Sequence, residues 1–126
     1  MADLTWEVFH QQVASCAMCP LHQGIRHKVP GQGDVNAPLM FIGEGPGEQE
    51  DLKGEPFVGA AGKLLDEMLC IIDLDRKENC YIANIVKCRP PPTRDPLETE
   101  QDARIGYLRN EVALIQPKII VRLCRI

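Results

Sequence analysis

The chain has 126 residues, 44% hydrophobic and 25% charged, with a net charge of −4. That suffices for one domain, 1–126, with a single modest core, and the composition is that of an ordinary globular protein. The acidic balance excludes a protein that coats nucleic acid indiscriminately, though not a local basic rim; no apolar run reaches membrane-spanning length and Met1-Ala2-Asp3-Leu4 has no basic leader, so the expected location is cytoplasmic.

The first element expected is an amphipathic helix from about Leu4 to Ser15. Leu4, Val8, Phe9 and Val13 recur at helical spacing, and Thr5 is placed to cap it. It runs into Cys16-Ala17-Met18-Cys19-Pro20, a CxxC closed by proline. Residues Gln23 to Ala37 are polar and broken by Gly and Pro, which reads as loop; Arg26, His27 and Lys28 within it read as a solvated basic face.

Leu39-Met40-Phe41-Ile42, bounded by Pro38 and Gly43, reads as a buried strand. Gly43-Glu44-Gly45-Pro46-Gly47 then breaks regular structure, and Glu44, Glu48, Glu50 and Asp51 follow closely. The connection lasts to about Gly59, whereas a connection in an α/β unit takes about two to six residues; such length favours function. It is no phosphate loop: the Gly59-Ala60-Ala61-Gly62-Lys63-Leu64 run lacks the P-loop spacing and its Ser/Thr, and the carboxylates repel a pyrophosphate. A helix follows, with Leu64, Leu65, Met68 and Leu69 as its apolar positions.

Asn79 to Lys87 reads as a second buried strand, interrupted by one amide, Asn84. Cys88-Arg89-Pro90-Pro91-Pro92-Thr93-Arg94-Asp95-Pro96 admits neither helix nor central strand. A helix from about Glu98 to Ile115 places Ile105, Leu108, Val112 and Ile115 on one face, and Lys118 to Leu123 is a third strand. Strands alternating with helices predict a parallel sheet in an α/β fold, with the loops after the first two strands on one active edge. The sequence stops at that third strand with no helix to cover it, so an exposed edge at Ile119, Ile120 and Val121, prone to self-association, is expected.

Five of the six cysteines divide into two sorts, and the sixth, Cys124, ends the last strand. Cys70 and Cys80 lie inside apolar segments and read as core residues. Cys16, Cys19 and Cys88 lie at segment ends beside Pro20 and Pro90, where metal ligands sit.

Taken together, the CxxC after a first helix, the GEGPGEQED loop, GEPFVGAAGKLL, and YIANIVKCRPP with the R-x-P after it resemble the iron–sulfur (family 4) uracil-DNA glycosylases, in the family's order and over nearly the whole chain. The resemblance implies a three-layer α/β/α fold, hydrolysis of the N-glycosidic bond of uracil in DNA as base excision repair, and a 4Fe-4S cluster. It implies a monomer in the family, acting on uracil-containing DNA and not at a membrane.

Its residue roles carry over position by position. Phe57 takes the position that stacks on a flipped-out base, an interaction of about 1–3 kcal/mol; the rival reading is a core Phe. Asn84 takes the position that reads uracil: its carbonyl suits the N3–H donor and its NH₂ the O4 acceptor, a pattern that cytosine reverses. A structural Asn bonded to backbone is the alternative. Glu44, Gly45 and Glu50 are the catalytic candidates, since a carboxylate near the sugar and N–H donors near the base would stabilise the charge that develops on each. The residues alone do not divide those tasks between Glu44 and Glu50. Lys87, Arg89 and Arg94 are placed to hold phosphates.

The sequence departs from the family at two places. Cys16, Cys19 and Cys88 match three cluster ligands, but the fourth position, sixteen residues beyond Cys88, holds Arg104. An Arg stays protonated and cannot ligate iron. The family's His-Pro motif lies beyond the third strand, and His10, His22 and His27 match no catalytic position. Two alternatives to an active glycosylase follow: a catalytically inactive remnant that binds DNA or metal, and a zinc protein using Cys16, Cys19, Cys88 and a ligand such as His22.

Overall fold

The computed structural model describes residues 5–16, 25–89 and 97–123, apart from the side chains of 103 and 104. The expectations for Leu4, Cys19, His22, Thr93, Arg94 and Cys124, and for the Arg104 side chain, therefore lie outside the described residues.

Helix α1 (Trp6–Ala14) is capped by the Thr5 hydroxyl, which accepts from Val8 N at 3.2 Å, and it buries Phe9 and Val13. Strand β1 (Gln32–Gly33) precedes β2 (Leu39–Gly43). Helix α2 (Glu48–Lys53) and helix α3 (Ala60–Ile71) lead to β3 (Cys80–Asn84), and α4 (Glu98–Ile115) leads to β4 (Ile119–Arg122). The sheet order is β1-β3-β2-β4. As expected for βαβ units, β2 pairs in parallel with both β3 and β4.

Alternation along the strands divides the core in two. Met40 and Ile42 of β2, with Tyr81 and Ala83 of β3, face one cluster that takes Leu108 and Ile115 of α4 and packs Trp6 of α1. Phe41, Cys80 and Ile82 face the other, with Leu65 and Leu69 of α3. Because successive side chains point to opposite faces, these buried strands require helices on both sides, and a three-layer α/β/α arrangement results. Truncating Leu69, which is 3% exposed, to Ala would cost about 2–5 kcal/mol.

The structure corrects five expectations. The sheet is mixed, because β1 joins its edge antiparallel to β3. Gly33 permits this approach: its φ is +139°, and a Cβ there would lie 2.2 Å from the Cys80 carbonyl. The long loop contains a helix, α2. Helix α3 buries the narrow stripe Gly62, Leu65 and Leu69, so Leu64 and Met68 turn outward at 57% and 58% exposure. Cys70 also falls on that outward side and is exposed, not core; one residue is a rotation of about 100°, enough to leave a narrow stripe. Along β4, Ile119 and Ile120 are exposed as expected, but Val121 packs on the α3-side cluster.

Candidate active site

The site forms where β2 and β3 end. Gly43 and Asn84 are register partners there. Beyond them the chain stays paired, with Ile85 N donating to Gly43 O (3.0 Å) and Val86 N to Glu44 O (3.2 Å). The glycine-rich loop and the segment that carries Lys87 and Cys88 are thereby joined at one edge.

Asn84 is 2% exposed, and its Oδ1 has no hydrogen-bond partner among the described residues. A buried polar atom left so costs about 1–3 kcal/mol, which calls for an explanation such as a ligand. Asn84 lines a cavity of about 340 Å³ together with Gly45, Gly47, Glu50, Phe57 and the first turn of α3. Gly43 keeps this corner open: a Cβ there would lie 2.5 Å from Asn84 Oδ1 and 2.5 Å from Phe57 Cζ. Any side chain at 43 would push the amide and the ring apart. Phe57 is half-buried, with its φ at +52° in the left-handed region, and packs beside Phe41 and Leu65. The ring is thus at once part of that core cluster and a wall of the cavity.

Glu50 serves the loop itself. Oε1 accepts from Gly47 N (2.9 Å), and Oε2 accepts from Val58 N (2.9 Å) and Gly59 N (2.7 Å). One carboxylate therefore caps α2 and ties it to the start of α3. Asp51 is buried and ties α2 to the preceding loop, its Oδ1 accepting from Arg26 N (3.0 Å) and His27 N (3.3 Å). The segment read as a solvated basic face is thus partly structural: Lys28 Nζ also donates to Ala14 O and Cys16 O, each at 2.7 Å.

Lys87 does not lie where a phosphate could reach it. Its side chain is fully buried, and Nζ donates to Glu111 Oε1 and to Asn84 O (2.7 Å). Glu111 of α4, also fully buried, accepts from the Tyr81 hydroxyl at 2.8 Å. The correction has a simple cause: β3 and the turn after it are covered by α4, and a buried ammonium requires a carboxylate in reach. Burial pushes the Glu111 carboxyl above its usual range, against the pull of Lys87 and the Tyr81 hydroxyl. The Tyr81 hydroxyl is pushed up by burial and then by the Glu111 charge. Gly31 leaves room for the network, since a Cβ there would lie 2.3 Å from Glu111 Oε2.

Arg89, half-buried, follows Cys88 on the active edge, while Arg94 lies outside the described residues. Cys16 and Cys88 are both buried. The loop between joins their neighbourhoods, because Lys28 binds Cys16 O and the next residue, Val29, donates to Lys87 O at 2.7 Å. Among the described residues no group of three or more His, Cys, Asp or Glu is placed to hold a metal.

Sequence reasoning missed Arg76, Tyr81 and Glu111. Glu111 did leave a signal, a carboxylate on the α4 face that also carries Leu108 and Ile115. Arg76, within the polar run Asp75-Arg76-Lys77-Glu78, left none.

A family model, that of the Uracil DNA glycosylase superfamily, matches residues 30–125. The chain is 50% identical over 115 residues to the type-4 uracil-DNA glycosylase of Archaeoglobus fulgidus, covering 91% of this chain and 57% of that protein. It is 50% identical over 120 residues to the type-4 enzyme of Sulfurisphaera tokodaii, covering 94% and 54%, and 44% identical over 117 residues to that of Thermotoga maritima, covering 93% and 60%. The chain thus spans between half and three-fifths of the length of these relatives. With the sheet, the paired loops and the matched span in agreement, the chain belongs to the uracil-DNA glycosylase superfamily.

Proposed function

We propose that the protein acts in base excision repair as a uracil-DNA glycosylase, hydrolysing the N-glycosidic bond of a uracil flipped out of DNA. The observation that carries this reading is the Asn84 Oδ1, buried and without a hydrogen-bond partner among the described residues, beside the Phe57 ring over Gly43. Uracil supplies the N3–H that this oxygen lacks and an O4 for the amide NH₂, while the ring gives its face a stacking surface. Gly45 N–H is proposed to face the leaving base and Glu44 the sugar, each opposing the charge that builds there. Glu50, whose oxygens already hold three backbone amides, is proposed to keep that loop in place instead of handling water. Arg89 and Arg94 remain the candidates for phosphate contacts.

The iron–sulfur cluster belongs to the same proposal, with Cys16, Cys19 and Cys88 as thiolate ligands, a 4Fe-4S group that would tie the first helix to the segment after β3. The burial of Cys16 and Cys88 supports it; Arg104 at the fourth position opposes full ligation. Cytoplasmic location and a monomeric state complete the reading. Among the described residues no helix is long and apolar enough to cross a membrane.

The test is a single-turnover assay on a uracil-containing single strand against the same strand with thymine, with iron and sulfide analysis of anaerobically reconstituted protein. Uracil release from the first strand alone supports the proposal. Binding without release favours the inactive, DNA-binding alternative.

A further inference from the structure

We propose that Arg76 is a positioning residue for Phe57: its guanidinium fixes the strained backbone that carries the ring, and so sets where a base can stack. The inference rests on the uracil reading above. A non-glycine residue at φ +52° persists only where its surroundings over-determine it. Here they do. Arg76 is 8% exposed, and its Nη1 donates to Pro56 O at 2.7 Å. Its Nη2 donates to Phe57 O at 2.5 Å and to Gly62 O at 3.3 Å. Nε is held by Asp66 Oδ1 at 2.7 Å, which sets the plane of the fork. From the other side, α3 closes on the same peptide, since a Cβ on Gly62 would lie 1.8 Å from Phe57 O. The Phe57 carbonyl is therefore clamped between a guanidinium and a helix backbone. From that backbone the ring projects over Gly43, beside Asn84.

A planar fork with five donors is needed to reach three carbonyls and one carboxylate at once; a Lys ammonium offers three donors from a single point. Arg76→Lys should thus keep the charge and lose the clamp. The rival role is structural, with Arg76 merely tying the turn before β3 to α3. The two differ in coupling. A residue that acts through Phe57 has no further effect once the ring is gone, whereas an independent structural role adds.

The experiment compares wild type, Arg76→Lys, Phe57→Ala and the double variant. It measures affinity for a single strand bearing 2′-fluoro-deoxyuridine, which resists cleavage, against the same strand with thymidine. Backbone chemical shifts of residue 57 are recorded without DNA wherever Phe is retained. Arg76→Lys is expected to move those shifts out of the left-handed range and to lower the uracil preference about 5- to 100-fold, as loss of a stacking contact would. In the Phe57→Ala background it should lower it no further. Unchanged Phe57 shifts, or a full additive loss in the double variant, would overturn the inference. A wild type without uracil preference, with the shifts moving as expected, would overturn the uracil reading alone. Should Arg76→Lys fail to fold, Asp66→Asn, at a half-exposed side chain, loosens the same fork and is read by the same criteria.

Discussion

Lys87 and Glu111 form an ion pair in which neither side chain is exposed, and the same ammonium holds the backbone carbonyl of Asn84 at 2.7 Å. A contact between the sheet and α4 is thereby coupled to the residue proposed to read the base. Since β3 ends at Asn84, the Lys87 bond fixes the peptide from which that amide projects.

Lys87→Met is expected to destabilise the protein by about 3–5 kcal/mol, because it leaves a buried carboxylate without its cation. Adding Glu111→Leu should recover much of that loss, as apolar replacement of both partners often does. Urea unfolding of the single and double variants measures it; a Lys87→Met protein as stable as wild type would show that the pair contributes nothing.

The pair also sets a pH dependence. Burial raises the folded-state value of Glu111 above the ordinary 4.5. A raised carboxyl contributes stability that is fully present below the unfolded-state value and is lost as pH rises through the folded one. Measured against Glu111→Gln, wild type should therefore lose relative stability from about pH 4 upward. The difference between the two unfolding free energies, followed at several pH values, should drift in favour of Gln; a drift the other way would mean that Lys87 outweighs desolvation.

Glu50→Ala removes the acceptor for three backbone amides at once. Their exchange protection at Gly47, Val58 and Gly59 should fall together, with a stability loss of about 1–3 kcal/mol. Hydrogen exchange read residue by residue checks this. Protection lost at Gly47 alone would show that the tie between α2 and α3 does not depend on this carboxylate.

Asn84→Asp places a carboxylate where uracil O4 needs a donor. Preference for uracil over cytosine in the same strand should drop by at least tenfold, equivalent to about 1.4 kcal/mol, while the fold persists. Binding competition between the two strands is the measurement, and an unchanged preference would remove Asn84 from base reading.

Gly43→Ala tests the corner from the other side. Its Cβ would stand 2.5 Å from both Asn84 Oδ1 and Phe57 Cζ, so the ring or the amide must move. Uracil affinity should fall by an amount similar to that caused by Asn84→Asp, with secondary structure retained by circular dichroism.

The sequence by itself determined the parallel β2, β3 and β4, the span of α4 and the meeting of two loops at one edge, because hydrophobic periodicity and Gly/Pro breaks are local signals. It also singled out Asn84, since an amide in an apolar strand is conspicuous without any structure. Only the tertiary structure decided what the charges do. Lys87 and Glu111 are 24 residues apart and Arg76 and Phe57 are 19 apart. No local pattern reveals that one lysine is buried with a carboxylate, or that one arginine of a polar turn closes on the carbonyls beneath the ring. Likewise α3 read as a broad apolar helix, but the close approach of Gly62 to Phe57 fixed its rotation and left Leu64, Met68 and Cys70 outside. Burial, and with it the meaning of a charge, is a property of the packed layers, not of the stretch that carries it.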